Sequence, residues 1–135
     1  MDMSLQGSCA CKTVRYAVDE LATPISHCHC QTCRKTHAAA FNSAAGVRPE
    51  QFRWLSGEAK LSEYASSADK VRYFCSQCGS HLLAKKVGKP MWVLRVATLD
   101  DDPSLRASQH IWTSHDVPWL NFVDLPEYEQ WAEPR

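Results

Sequence analysis

The segment Cys28-His29-Cys30-Gln31-Thr32-Cys33 puts three thiols within six residues and constrains this chain more than any other stretch. Side chains this close in sequence are gathered by local geometry alone, and three soft thiolates make one wall of a zinc site. The remaining cysteines also come as close pairs, Cys9/Cys11 and Cys75/Cys78, so none of the seven stands alone. An odd count cannot pair off fully into disulfides, and in a reducing compartment such spacing marks metal ligands rather than cross-links.

Four thiolates close a tetrahedral structural site, whereas three leave a position for water or substrate. One division of the cysteines closes Cys9, Cys11, Cys75 and Cys78 and leaves Cys28, Cys30 and Cys33 open. Its rival joins Cys30/Cys33 with Cys75/Cys78 as a zinc ribbon and strands Cys9, Cys11 and Cys28. Spacing alone leaves both standing; the first is preferred because it uses every thiol. Cys75-Ser76-Gln77-Cys78-Gly79 has the form of a zinc knuckle, its glycine letting the chain turn so that backbone N–H groups face the sulfurs.

Charge narrows the partners. Fifteen basic and fifteen acidic residues give a formal net charge of zero, without the basic excess of a nucleic-acid binder. Residues 1–18 hold Asp2, Lys12 and Arg15 and no apolar run of signal length, and no stretch approaches the about 18 apolar residues of a membrane span. The expectation is one soluble, cytoplasmic domain over residues 1–135, with no nucleic-acid and no membrane partner.

Periodicity points to a mainly β chain with short helical turns only. Val14, Tyr16 and Val18 alternate with Thr13, Arg15 and Ala17 as in a half-buried strand, entered through a tight turn at Gly7–Cys11. The three-cysteine segment is expected as a loop. Residues 37–47, mostly small, read as a short helix or a tightly packed strand, the strand being preferred. Pro49–Phe52 suits one helical turn, and Phe52–Leu55 runs extended after it. Further strands are expected at Leu61–Ala65, Val71–Phe74, His81–Lys86 and Met91–Ala97, with turns at Ser66–Asp69 and Gly88–Pro90 and a solvated turn at Asp100–Pro103. The aromatic tail from Gln109 is expected to pack back over the sheet.

Four stretches carry a resemblance to a known family: Gly7-Ser8-Cys9-Ala10-Cys11 with Val14 and Tyr16; Cys28-His29-Cys30 through Cys33-Arg34-Lys35; Phe74-Cys75-Ser76-Gln77-Cys78-Gly79-Ser80; and His110-Ile111 leading to Pro118-Trp119 and Asp124-Leu125-Pro126. The chain resembles the glutathione-dependent formaldehyde-activating enzymes, a family that also includes the centromere protein V type proteins. The resemblance implies an Mss4-like β-tent, a structural zinc on Cys9, Cys11, Cys75 and Cys78, and a catalytic zinc on Cys28, Cys30 and Cys33. Two zinc ions per chain follow, the second site open to partial occupancy. The implied activity is that of a carbon–sulfur lyase run in reverse, joining formaldehyde, or another aldehyde, to the thiol of glutathione to give S-hydroxymethylglutathione. Lys12 and His37 stand where the family commonly has glycine.

An open position on a three-thiolate zinc suits binding of a substrate thiol, or polarisation of the aldehyde oxygen, better than activation of water, because three thiolates weaken the acidity of the ion. Arg34 and Lys35 are candidates to offset that negative charge or to meet a substrate carboxylate, against the plain reading of an exposed basic pair. His27, His29 or His37 are candidates for a fourth ligand. The tryptophans, His81 and His110 read as packing residues, with Trp112 and Trp119 as alternative cleft walls. Two functional classes result: a zinc-dependent enzyme acting on a thiol–aldehyde adduct, and a non-enzymatic zinc module that recognises a partner.

Overall fold

A computed structural model describes residues 3–133. It is mainly β, as expected: among the described residues ten strands form two sheets, with one α-helix and short 3-10 turns. The smaller sheet orders β1 (Leu5–Ser8), β2 (Arg15–Val18) and β5 (Phe52–Ser56) as β1-β2-β5. The larger sheet contains β3 (Ile25–Cys28), β4 (Asn42–Val47), β6 (Leu61–Ser67), β7 (Lys70–Cys75), β8 (His81–Lys86), β9 (Trp92–Arg95) and β10 (Ala107–Ile111), in the order β10-β3-β4-β9-β8-β7-β6. All its pairings are antiparallel except β10 with β3, which is parallel. Among the described residues no helix is long and apolar enough to cross a membrane.

The core draws on both sheets. Tyr16, Val18 and Phe52 from the smaller, with Val14 just before β2, meet Val47, Leu83 and Leu94 from the larger, with Cys9 and Cys75 in the same cluster. Val14, Tyr16 and Val18 are buried and Arg15 is exposed, as the alternation of β2 requires, although Ala17 is covered as well. Tyr16 is fixed at its far end by a 2.7 Å hydrogen bond with the Thr98 hydroxyl, which itself donates to the Arg95 carbonyl. Its ring lies so close to Gly7 that a Cβ there would stand 2.2 Å from it, which is why β1 carries a glycine mid-strand.

Several expected boundaries shift. The three-cysteine segment, expected as a loop, instead runs into a two-turn helix, α1 (Gln31–His37), which also takes His37 from the small-residue run; its N-cap sulfur on Cys30 accepts from the Cys33 N–H at 3.3 Å. Only residues 42–47 of the small-residue run are strand. Gly7 and Ser8, expected within a turn, end strand β1 and pair with β2. β6 continues through Ser67, so its turn shrinks, and the strand expected over Met91–Ala97 is only Trp92–Arg95 before a 3-10 turn at Val96–Thr98. Asp100 and Asp101 are more than a solvated turn: Asp100 accepts from the Ser8 hydroxyl at 2.9 Å, and Asp101 from the Gln6 N–H at 2.7 Å. The tail packs back only in part: Asp116 holds His29, Val117 is buried and the Phe122 ring lies 5.8 Å from that of Phe41. Its start extends the sheet edge as β10, and Trp112, Trp119 and Trp131 beyond it are exposed, while Trp54 and Trp92 pack on the core.

Register decides which side chains share a face. Tyr73, Leu83, Leu94 and Ala45 align across β7, β8, β9 and β4 on the face turned to the core. The opposite face carries Lys70 and Arg72, then Lys86 and Ala84, then Arg95, then Ala44 and Asn42, and finally Cys28. Small alanines opposite Arg72 and Arg95 leave room for two guanidinium groups, and helix α1 lies against this face.

Candidate metal centres and adjoining cavity

The seven sulfurs gather in two groups, Cys9/Cys11/Cys75/Cys78 and Cys28/Cys30/Cys33, each within 4.8 Å of one another. Cys30 and Cys33 do not join Cys75 and Cys78, so the chain does not form the zinc-ribbon pairing. Neither group includes a histidine. His29 is held instead by Asp116 at 2.7 Å and by His110 at 2.8 Å, His27 by Ser43 at 2.8 Å, and the His37 ring sits tilted by 60° against that of His81 with centroids 4.9 Å apart.

In the four-cysteine group Cys9 and Cys75 are buried in the core while Cys11 and Cys78 face outward. Sulfur separations of 3.6 Å (Cys9 to Cys11) and 3.8 Å (Cys11 to Cys75) match the about 3.8 Å edge of a tetrahedron of sulfurs about 2.3 Å from a zinc. Backbone N–H groups of Val14 and Gln77 donate to the sulfurs of Cys9 and Cys75 at 3.3 and 3.4 Å. The knuckle is held by Gly79 at φ 80 and by its N–H donating to the Cys75 carbonyl at 2.8 Å. Beside the Ser80 hydroxyl the Cys78 thiol is drawn down to about 5, while burial pushes Cys9 up to about 11. The donor set, spacing and N–H pattern fit a closed structural metal site.

The three-cysteine group is built by β3 and α1. Cys28 and Cys33 are buried and Cys30 is partly exposed. The Cys28 thiol, helped by Cys30 and by Arg72, outweighs burial and draws Cys33 down to about 4, and the same interaction, with burial, pushes Cys28 up. One member of the trio is therefore ready to ionise before any ligand arrives, which suits a thiolate-binding metal.

The charge facing this trio comes from residues that spacing did not single out. Arg72 is 2% exposed and directs both terminal nitrogens at the Cys33 sulfur, 3.8 Å away, while its Nε donates to Ser66 at 2.9 Å. Arg95 is 3% exposed, and its Nε and one terminal nitrogen have no hydrogen-bond partner among the described residues. Burial and Arg72 draw Arg95 down to about 10, against the pull of the three thiols, and it stays charged at neutral pH. Three thiolates on a divalent ion leave one negative charge; Arg72 and Arg95 bring two positive ones. Arg34 and Lys35, the expected counter-charges, do not line the site's opening, and Lys35 is exposed on the far side of α1. A charged residue inside a strand otherwise apolar, as at Arg95 between Leu94 and Val96, is the one sequence signal that could have found these groups.

A cavity of about 400 Å³ opens beside Cys30. Cys30, Gln31 and Thr32 form one wall, Trp112 and His115 another, and the third comes from Ser66, Lys70, Arg72 and Lys86. The His115 Nδ1 accepts from the Gln31 N–H at 3.2 Å, tying the tail to the start of α1. Trp112 thus lines the cleft and Trp119 does not; His37 does not either.

Comparison with known proteins places this geometry. The family model described as glutathione-dependent formaldehyde-activating enzyme matches residues 4–115. A putative glutathione-dependent formaldehyde-activating enzyme of Halomonas elongata is 31% identical over 139 aligned positions, taking in 95% of this chain and 85% of the relative. An uncharacterised lyase of Schizosaccharomyces pombe is 30% identical over 77 residues, 57% of this chain; the match spans about half, 54%, of that relative's length. The crystal structure of a Rhodobacter sphaeroides protein superposes with a TM-score of 0.64 at 24% identity, covering 78% of this chain and 98% of that one, and so shares the fold.

Proposed function

The chain belongs to the glutathione-dependent formaldehyde-activating enzyme family, and on that premise we propose that it joins formaldehyde to the thiol of glutathione at a zinc ion held by Cys28, Cys30 and Cys33. A second zinc on Cys9, Cys11, Cys75 and Cys78 is structural, and residues 1–135 act as one zinc-binding domain. The observation that carries the reading is a trio of sulfurs, one of them open to a cavity, set against two buried arginines.

Zinc at the trio would supply a position where a substrate thiol binds in its ionised form. The protein's own contribution is charge and access. Cys28 and Cys33 are sealed, so an incoming sulfur must arrive through the cavity past Cys30. Arg72 and Arg95 leave a positive surplus behind the trio, which favours an anionic sulfur over a neutral water. In the reaction the sulfur lone pair forms the carbon–sulfur bond, the carbonyl π pair moves to oxygen, and that oxygen takes up a proton equivalent to the one the thiol released. Thiol and aldehyde alone balance the product, and no oxidant or reductant is required.

Mixing zinc-replete protein with glutathione and formaldehyde tests this. Free aldehyde should disappear faster than in buffer with glutathione alone, and Cys30→Ser should remove the difference. Equal rates with and without protein would return the chain to the class of non-enzymatic zinc modules.

A further inference from the structure

The cavity beside Cys30 gathers like charges that the fold does not need. Lys70 and Lys86 face each other directly across the β7–β8 ladder, an arrangement that weakens a sheet. Arg72 follows two residues along β7 on the same face, and the three cations line one wall. None of the lining residues is acidic. Asp69 reaches Lys86 at 3.9 Å from outside the cavity, but among the described residues the Lys70 ammonium makes no hydrogen bond or ion pair. Lys70 is also half-buried, and burial, then Arg72 and Arg95, disfavour its charge, with only the thiols of Cys33 and Cys30 acting the other way.

Cations held close together in a partly dry cleft, without a carboxylate among them, make a site for an anion. The cleft has two ends, a sulfur end at Cys30 and a cationic end at the β6–β7–β8 edge. We propose that this cavity binds a thiol substrate by its carboxylate, with Lys70 and Lys86 as the specificity-determining residues. The inference rests on the thiol–aldehyde reading above and adds which part of the substrate is recognised away from the sulfur, and by which residues. The class of ligand is an anionic thiol; neutral thiols lack the group this wall is built for.

Titration calorimetry of the metal-loaded protein with S-methylglutathione isolates the subsite, because the blocked sulfur cannot become a metal ligand. The wild type should bind this acid at least ~10-fold more tightly than the diethyl ester of the same compound, the difference expected for one charge-assisted hydrogen bond. Lys70→Gln and Lys86→Gln should each weaken binding of the acid ~10-fold and leave the ester where it was. No measurable binding of the acid, equal affinity for acid and ester, or an equal loss of both in the variants overturns the proposal. Lys86 is exposed at the end of its strand, so Lys86→Gln carries the test if Lys70→Gln fails to fold. Turnover is read separately: acid-selective binding without aldehyde consumption would uphold the subsite and sink the enzymatic reading, and consumption without acid selectivity would do the reverse.

Discussion

Arg72 holds both terminal nitrogens 3.8 Å from the Cys33 sulfur, buried to 2% exposure. A buried cation donating to a sulfur steadies its thiolate and orients it, and where such a sulfur holds a metal, outer partners of this kind typically govern affinity by about 10–100-fold. Arg72→Met should therefore weaken metal binding at the trio by about that factor while leaving the four-cysteine group loaded, and Arg72→Lys should recover only part, since one ammonium cannot fork as a guanidinium does. Competition for cobalt against a calibrated chelator gives the number, and unchanged affinity in Arg72→Met would show that Arg72 is only packing.

The two cysteine groups should fail differently. Cys75 lies in the core cluster, whereas Cys30 is partly exposed at the cavity. Structural zinc contributes on the order of 10 kcal/mol in small zinc peptides, so Cys75→Ser should be unfolded or molten, and Cys30→Ser should melt as a folded protein short of one metal equivalent. Metal content and thermal melts on the two variants decide this; a folded Cys75→Ser beside an unfolded Cys30→Ser would reverse the assignment.

Lys12 occupies φ 68, a left-handed conformation in the turn between Cys9 and Val14. A side chain there costs about 1 kcal/mol relative to glycine. Replacement also removes an exposed Lys12–Asp100 pair at 3.8 Å, worth little. The comparison that isolates the backbone is Lys12→Gly against Lys12→Ala, both lacking the pair, and the glycine variant should be the more stable by about 1 kcal/mol in urea unfolding.

His37 should make the protein acid-sensitive before its cysteines are considered. Burial, then Arg95, His81, Arg72 and Lys70, hold its pKa down to about 3 from 6.5. The native state thus refuses a proton that the unfolded chain accepts below 6.5, so the stability it contributes is complete above that pH and is lost as pH falls toward 3, at about 1.4 kcal/mol per unit. Urea midpoints between pH 7 and pH 5 should fall more steeply in the wild type than in His37→Gln. Parallel curves would remove His37 from the acid response.

The cysteine pattern was legible because metal-binding chains keep their ligands a few residues apart, and the alternation of Val14, Tyr16 and Val18 because that strand has one wet face. Helix α1 was hidden: Gln31-Thr32-Cys33-Arg34-Lys35-Thr36-His37 has no apolar stripe, buries only Cys33, and is capped by a cysteine rather than by a usual N-cap residue. Strand β10 was hidden for a related cause, since Ala107–Ile111 is exposed throughout and exists through its pairing with β3. Arg72 and Arg95 escaped notice because a charged residue in a strand is ordinarily assigned to solvent. Only the register, which sets Ala84 opposite Arg72 and Ala44 opposite Arg95, shows an interior face with space for them.

Cys11 and Cys75 meet across 64 residues of chain, whereas the ligands of the trio span only residues 28 to 33. Closing a loop of that length costs an unfolded polymer about 4 kcal/mol of entropy, and the short loop costs far less. If the trio holds a metal as proposed, it could thus collect the ion on a chain still unfolded, as soon as its own six residues are free in solution. The four-cysteine site must wait until β7 has returned beside the entrance of β2. Metal supplied early would then be captured in a fixed order, and the second capture would act as a latch, fastening the turn between β1 and β2 to the end of β7.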